Sequence, residues 1–147
     1  MTSATAFRIS AAFGFLAVAL GAFGAHGLKD TLTANDTLAI WQTAALYHLV
    51  HSAVMLALSS RETLHIWAWR LFAAGVVIFS GSLYALALSN VKVLGAITPI
   101  GGVCLLAGWL ALAIKPRELR GLGDARQIPS DRRRSAPENP ARESAAP

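Results

Sequence analysis

Four long apolar runs without charged residues constrain the fold of this chain more than any other feature. They cover residues 9–28, 37–60, 71–91 and 93–114, and each break between them contains charge. A hydrocarbon core about 30 Å thick needs roughly 20 mostly apolar residues per helix, because a helix rises about 1.5 Å per residue. Open sheets cannot satisfy their backbone in lipid. We therefore predict an all-α fold, a four-helix transmembrane bundle formed by residues 1–115.

The charged residues are concentrated after the fourth run. Residues 115–147 hold eight of the 13 lysines and arginines and five of the eight acidic residues. From residue 116 onwards the chain is rich in Pro, Arg, Ser and Ala, and it cannot bury enough apolar surface to offset the entropy of ordering. We predict that residues 116–147 form a disordered basic tail. The net charge of +5 then reflects this tail and the flanks of the helices, and it does not indicate a nucleic-acid partner.

The basic residues next to the spans predict the orientation. With four spans, one side of the membrane carries Arg8, Arg61, Arg70, Lys115, Arg117 and Arg120, and the other side carries Lys29 and Lys92. Cytoplasmic flanks are enriched in Lys and Arg. We therefore expect a multi-pass protein of the bacterial plasma (inner) membrane with both termini in the cytoplasm. The alternative, in which the first run is a cleaved signal peptide, leaves three spans and a poorer charge balance.

Two features near the span ends give local predictions. Ser59-x-x-Glu62 has the spacing of a capping box, which would start the third helix before Leu71. The tryptophans all fall towards span ends, where indole rings settle at the membrane interface. They are Trp41, Trp67, Trp69 and Trp109.

Uncharged polar residues fall at shared depths within the spans. The middle layer holds His48, His51, Ser80, Tyr84 and Cys104, and an outer layer holds His26, Trp41, Gln42 and Thr98. Polar groups inside a membrane are costly, so they mark a functional site or face the interior of the bundle. Neutral histidines that hydrogen-bond neighbouring helices are favoured over a metal site, because zinc-like ions need three or four ligands. We expect no cofactor.

Small residues and one proline bear on helix packing. Gly14, Ala17, Gly21 and Ala25 form a small-xxx-small stripe, which lets helices approach closely. Pro99 lacks the N–H that would bond the carbonyl of Gly95, so we predict a helix kink at Pro99.

The ordered motifs in the four runs resemble a known family. The first run ends in Gly-Ala-Phe-Gly-Ala-His at residues 21–26, and Tyr47-x-x-x-His51 follows in the second. Phe-Ser-Gly-Ser-Leu-Tyr occupies residues 79–84, and Thr-Pro-Ile-Gly-Gly occupies residues 98–102. This order resembles the YgdD-like family of small bacterial inner-membrane proteins, domain of unknown function 423. The resemblance implies a four-helix membrane protein without an established activity, and it carries over these residues: His26, Tyr47, His51, Ser80, Tyr84, Thr98 and Pro99.

The sequence leaves more than one function open. The favoured prediction is a non-enzymatic membrane protein whose polar interior network serves packing or binds a membrane-protein partner or a second copy. In that network we expect His51 to face Ser80, and His26 to lie near Pro99. The alternative is a carrier or channel with a polar cavity near His26, Gln42 and Thr98. A metal or redox protein that uses His48, His51 and Cys104 comes third.

Overall fold

The computed structural model describes residues 1–114, and all regular structure in this part of the chain is helical. The all-α prediction is confirmed for these residues. The predicted tail, residues 116–147, lies outside them. The helices in chain order are α1 (Ser3–Ala25), α2 (Lys29–Ala34), α3 (Leu38–Ser59), α4 (Ile66–Ser89), a 3-10 helix (Lys92–Ala96) and α5 (Thr98–Ile114).

Three segments of this part of the chain are long and apolar enough to cross a membrane. They are α1, α4 and the segment Lys92–Ile114, which contains the 3-10 helix and α5. Helix α3 has 22 residues, which is long enough for a span, but Gln42 and two histidines make it less apolar than the other three. Three of the four predicted runs are therefore supported as spans by length and composition, and α3 falls short on hydropathy.

Helices α3 and α4 form the centre of the bundle. They pack against each other, α1 packs on α3, and α5 packs on α4. The larger core cluster includes Met55 and Phe72, both fully buried. The contact between α4 and α5 is close because Gly101 lies against the backbone of Phe79 and Gly108 lies against the ring of Phe72. A side chain at either glycine would overlap α4, so small residues set this helix spacing.

The predicted small-residue stripe on α1 contributes less than the α4–α5 glycines. Nothing lies within 4 Å of a Cβ placed at Gly14 or Gly21. Ala17 is buried, whereas Ala25 is exposed. Close approach on α1 occurs instead at Gly24, against which the Trp41 indole rests.

Helix α4 begins at Ile66, ahead of the predicted run, but without the predicted capping box. The N-cap is His65, whose Nδ1 accepts a hydrogen bond from the Ala68 N–H at 3.3 Å. Ser59 is the last residue of α3, and its hydroxyl donates to the Met55 carbonyl at 2.9 Å. The capping-box prediction was wrong because Ser59 ends the preceding helix.

Pro99 lies in the first turn of α5, not within a continuous α-helix. The residues before it form a 3-10 helix that ends at Ala96. A proline is well tolerated in the first helical turn, where its missing N–H has no intrahelical partner to lose. The fourth run therefore changes from a 3-10 helix to an α-helix just before Pro99. This change of helix type occurs at the place where a kink was predicted.

The connection between α1 and α3 caps the C-terminal end of α4. The last carbonyls of a helix have no partner within that helix. Here the Asn35 side-chain amide donates to the carbonyls of Ala87 at 3.1 Å and Leu88 at 3.2 Å, and the Thr37 hydroxyl donates to Ala87 at 2.8 Å. Side chains from an earlier part of the sequence thus complete this helix end.

Candidate intramembrane polar site

A cluster of hydrogen bonds joins three helices near the N-terminal end of α1. The Trp69 indole N–H donates to the Ser10 hydroxyl at 2.9 Å, and that hydroxyl donates to the Ala6 carbonyl at 2.8 Å. The Ser59 hydroxyl lies 3.5 Å from the Ser10 hydroxyl. We call Ser10, Ser59 and Trp69 the serine–tryptophan cluster. All three are buried, so their polar groups are satisfied within the protein and join α1, α3 and α4.

His51 on α3 is held by two hydrogen bonds that define its tautomer. Its Nδ1 lies 2.8 Å from the Tyr47 carbonyl oxygen, which can only accept, so Nδ1 carries the proton. Its Nε2 accepts from the Trp109 indole N–H of α5 at 3.3 Å. The ring also packs against Phe72, with centroids 5.6 Å apart. A neutral imidazole fits this arrangement, and neither nitrogen is left to bind a ligand.

Ser80 on α4 does not pair with His51, so this expected contact was wrong. The Ser80 hydroxyl is buried and has no hydrogen-bond partner among residues 1–114. The Tyr84 hydroxyl and both ring nitrogens of His48 are likewise buried without partners.

These three residues share one groove between α1, α3 and α4. The groove has a volume of about 220 Å³. We call it the His48 groove, and its lining residues are Phe13, Leu16, Leu20, His48, Val76, Val77, Ser80, Gly81 and Tyr84.

The other predicted site residues lie in separate places. Thr98 at the start of α5 hydrogen-bonds the Ser82 hydroxyl at 2.9 Å. His26 is exposed and borders a cleft with Phe23. Gln42 lines a different cleft, between α1 and α3. Among the clefts formed by residues 1–114, those beside His26 and Gln42 are therefore separate, and Thr98 lines neither of them.

The expected contact of His26 with Pro99 is also not formed. His26 follows the last residue of α1, and α1 packs on α2 and α3 and does not contact α5. Tyr47 is 41% exposed, and its ring stacks on the His51 ring with centroids 5.9 Å apart.

Two of the four tryptophans predicted at the span ends face the protein interior. Trp41 is 2% exposed, and its indole N–H donates to the Leu20 carbonyl at 3.0 Å. Trp69 is 5% exposed and belongs to the serine–tryptophan cluster. Trp67 is 67% exposed and lies beside Arg70, whose guanidinium carbon is 5.6 Å from the ring centroid. The hydrogen bond from each buried indole offsets the cost of burying its N–H.

The metal alternative gains no support from the geometry. Within residues 1–114, no three His, Cys, Asp or Glu side chains lie close enough together to hold a metal ion. His51 uses both of its nitrogens in hydrogen bonds. Cys104 is a free, partly buried thiol on α5.

Sequence reasoning missed the roles of Ser10, Ser59 and Trp109. Ser10 and Ser59 lie at the same end of their spans, and this shared level was the signal that could have found their contact. Trp109 was taken as an interfacial anchor, and nothing in its position alone indicates that it bonds His51. Hydrogen-bonded pairs such as Trp109 and His51 depend on which helices are neighbours.

Apolar helices of membrane-spanning length, packed around buried and uncharged polar side chains, define a multi-pass helical membrane protein. The chain belongs to the family described as "Protein of unknown function (DUF423)", whose model matches residues 20–102.

Curated relatives agree with this assignment. A "UPF0382 membrane protein" of Staphylococcus epidermidis is 46% identical over 110 residues, which cover 72% of this chain and 89% of the relative. The "UPF0382 inner membrane protein YgdD" of Escherichia coli K12 is 41% identical over 128 residues, which cover 84% of this chain and 97% of the relative. No solved structure matches the chain.

Proposed function

We propose that this protein is a four-span structural or partner-binding protein of the bacterial inner membrane, and not an enzyme. The observation that carries the proposal is the use of its polar side chains. Trp69 bonds Ser10 across α1 and α4, and Trp109 bonds His51 across α3 and α5. Side chains that hydrogen-bond each other in this way hold helices together, and their polar atoms are not free to act on a substrate.

The burial of α3 supports its assignment as the fourth span. Its 22 residues extend about 33 Å at 1.5 Å per residue, which matches a hydrocarbon core. The residues that lower its hydropathy include His48 and His51, and both are buried inside the protein. Polar residues that face the bundle do not meet lipid.

Retention of α1 in the mature protein is supported by its place in the core. Ala6 and Ser10 of α1 are buried against the other helices, so cleavage of α1 as a signal peptide would open the serine–tryptophan cluster.

The proposed orientation has both termini in the cytoplasm. Arg8, Arg61 and Arg70 lie at the bundle end where α1 begins, α3 ends and α4 begins, and Lys29 and Lys92 lie at the opposite end. The test is labelling of single cysteines with a membrane-impermeant maleimide in a Cys104→Ala background. We expect Lys92→Cys to react from the periplasm and Arg61→Cys only after the membrane is opened. The reverse pattern would overturn the orientation.

The non-enzymatic structural role is tested with His51→Ala in purified full-length protein. We expect a lower unfolding temperature than wild type, because Trp109 loses its acceptor and Phe72 loses a packing partner. The exposed His26→Ala serves as the matched control and should leave the unfolding temperature unchanged. Unchanged stability of His51→Ala, a stoichiometric metal ion or a visible absorption band would contradict the proposal.

Partner binding is tested by extraction of native membranes into polymer nanodiscs, followed by mass measurement. A complex heavier than the single 15.5 kDa chain with its lipid supports a membrane-protein partner or a second copy. A lone chain would leave only the structural role. The carrier alternative is not favoured, because His26 and Gln42 line separate clefts and Thr98 bonds Ser82.

A further inference from the structure

One stripe of the central helix α4 faces the lipid. From its first to its fifth turn, the exposed residues recur every three or four positions, and the neighbouring helices wholly or partly cover the others. At about 100° per residue, the exposed residues fall within about 80° of the helix circumference. We call them the α4 stripe, and they are Trp67, Arg70, Ala74, Val77, Gly81 and Ala85. A lipid that lies along this stripe meets an indole and a guanidinium first, and smaller apolar residues after them.

Arg70 lies where the hydrocarbon core meets the headgroups. The 24 residues of α4 extend about 36 Å at 1.5 Å per residue, which is longer than a hydrocarbon core of about 30 Å. The first turn of α4 therefore reaches the headgroups, and Arg70 follows in the second turn. Its guanidinium carbon lies 5.6 Å from the centroid of the Trp67 ring, about one turn nearer the helix start. The side chain thus extends along α4 towards the headgroups, as long basic side chains do near membrane surfaces.

Positive charge exceeds negative charge at the bundle end where α4 begins. Among residues 1–114, the ionised side chains at this end are Arg8, Arg61, Glu62 and Arg70. A cation–π contact uses none of the guanidinium N–H donors in a hydrogen bond. Arg70 therefore keeps the fork of donors that binds a phosphate through two parallel hydrogen bonds. The headgroup phosphate of a lipid is the anion that this level of a bilayer supplies.

The His48 groove opens beside the same stripe. Val77 and Gly81 belong both to the α4 stripe and to the lining of the groove, which also includes Leu16 of α1. Leu16 and Val77 are 49% and 60% exposed, so the groove opens towards lipid. The surface that it presents is apolar, and the unpartnered polar atoms of its lining residues lie behind that surface. An apolar cavity of about 150 Å³ holds a benzene ring, so about 220 Å³ accommodates a segment of an acyl chain.

We propose that one anionic phospholipid binds to α4, with its phosphate on Arg70 and one acyl chain in the His48 groove. Val77 follows Arg70 by seven residues, so the groove lies about 10 Å deeper in the membrane than Arg70. A phospholipid places its acyl chains below its phosphate, so a single molecule reaches both places. An anionic lipid is favoured over a zwitterionic one, because its net charge complements the excess of arginine at this end of the bundle.

This inference goes beyond the proposed function, because its ligand is a lipid and not a protein partner. It requires that α4 spans the membrane, and it holds for either orientation of the chain. In the proposed orientation, the bound lipid belongs to the cytoplasmic leaflet.

The test is native mass spectrometry of the full-length protein released from detergent micelles. The probe is phosphatidylglycerol, and the reference is phosphatidylcholine with the same acyl chains, which carries a phosphate but no net charge. We expect one phosphatidylglycerol to bind about three- to tenfold more tightly than phosphatidylcholine, as for one basic residue near a membrane surface. Excess inorganic phosphate should not displace the lipid, because it has no acyl chain for the groove. Equal affinity for the two lipids, or displacement by phosphate, would overturn the proposal.

Two arginine variants locate the headgroup. Arg70→Gln should abolish the preference for phosphatidylglycerol. Arg61→Gln removes the same charge at the same end of the bundle, but Arg61 lies between α3 and α4 and outside the α4 stripe, so this variant should keep the preference. Equal loss in both variants would indicate a general attraction between basic residues and anionic lipid, and it would overturn the Arg70 site. An undiminished preference in Arg70→Gln would do the same.

Two glycine variants locate the acyl chain. Nothing lies within 4 Å of a Cβ placed at Gly81 or at Gly21, so either position accepts a larger side chain. Gly81→Leu should fill the His48 groove and weaken the binding of phosphatidylglycerol about tenfold, because the chain loses its buried apolar contacts. Gly21→Leu fills the separate cleft near Gln42 and should leave the affinity unchanged.

Two results with the glycine variants would overturn the proposal. The first is an unchanged lipid affinity in Gly81→Leu. The second is a change of oligomeric state in Gly81→Leu, which would identify the groove as an interface between two copies. Neither result bears on the His51→Ala stability test, so this inference and the proposed function can fail separately.

Discussion

The serine–tryptophan cluster and the His48 groove lie between the same three helices, yet they use polar residues in opposite ways. In the cluster, the Trp69 N–H and the Ser10 hydroxyl both have partners. In the groove, Ser80 and His48 have none. A buried serine therefore does not have one role in this fold, and its role depends on which side chains of the neighbouring helices lie at its level.

The side chains of α1 explain this difference. At the cluster, α1 presents Ala6 and Ser10, which are small enough for the Trp69 indole to reach the Ser10 hydroxyl. Further along, α1 presents Phe13 and Leu16, and the Phe13 ring meets the edge of His48 with centroids 5.8 Å apart. The α1 side chains at this level are apolar, so they offer no hydrogen-bond partner to Ser80 or His48.

The largest effect should come from removal of the aromatic anchor of the cluster. We expect Trp69→Ala to lower the free energy of unfolding by about 3–5 kcal/mol, because it creates a cavity and leaves Ser10 without a donor. Trp67→Ala is the matched control, since Trp67 is 67% exposed, and it should change stability by less than about 0.5 kcal/mol. Denaturant titration in mixed micelles measures both. Similar losses for the two variants would show that the cluster does not anchor the bundle.

A smaller effect should follow from the loss of the hydroxyl at the centre of the cluster. Ser10→Ala leaves the buried Trp69 N–H without an acceptor, which should cost about 1–2 kcal/mol. Ser60→Ala is the control, because Ser60 is exposed and its hydroxyl bonds only the Leu56 carbonyl of its own helix at 2.9 Å. The same titration should show little change for this control. A stable Ser10→Ala protein would mean that the Trp69–Ser10 bond contributes nothing.

The smallest effect should occur in the groove. Ser80→Ala makes the same chemical change as Ser10→Ala, but no hydrogen bond within residues 1–114 is lost, so stability should stay within about 0.5 kcal/mol of wild type or rise. The difference between the two serine variants is the quantity to measure, under identical micelle conditions. Equal destabilisation by both would remove the contrast between cluster and groove.

Much of the fold could be predicted from the sequence because the membrane imposes a strong length rule. The uncharged runs and the charges between them locate α3 closely, whereas α1 and α4 begin several residues before the predicted runs. The starts of helices were less predictable, since the N-cap of α4 is His65, which is not among the usual capping residues.

The candidate site was predictable only in part. Hydrophobic patterns place a residue at a depth and on a face of its own helix, but they do not say which helix lies opposite. His51 and Ser80 share a depth, yet the partner of His51 is Trp109. His48 is not among the motif residues, and its ring contacts with Phe13 and Tyr84 depend on how α1 and α4 pack around α3.

The capping of α4 by Asn35 and Thr37 has a consequence for the order in which the protein is made. The ribosome synthesises these two residues before it reaches the carbonyls of Ala87 and Leu88 that they bind. Asn35 and Thr37 are therefore already part of the nascent chain when the end of α4 is made, and they can bind its last carbonyls as soon as α4 folds.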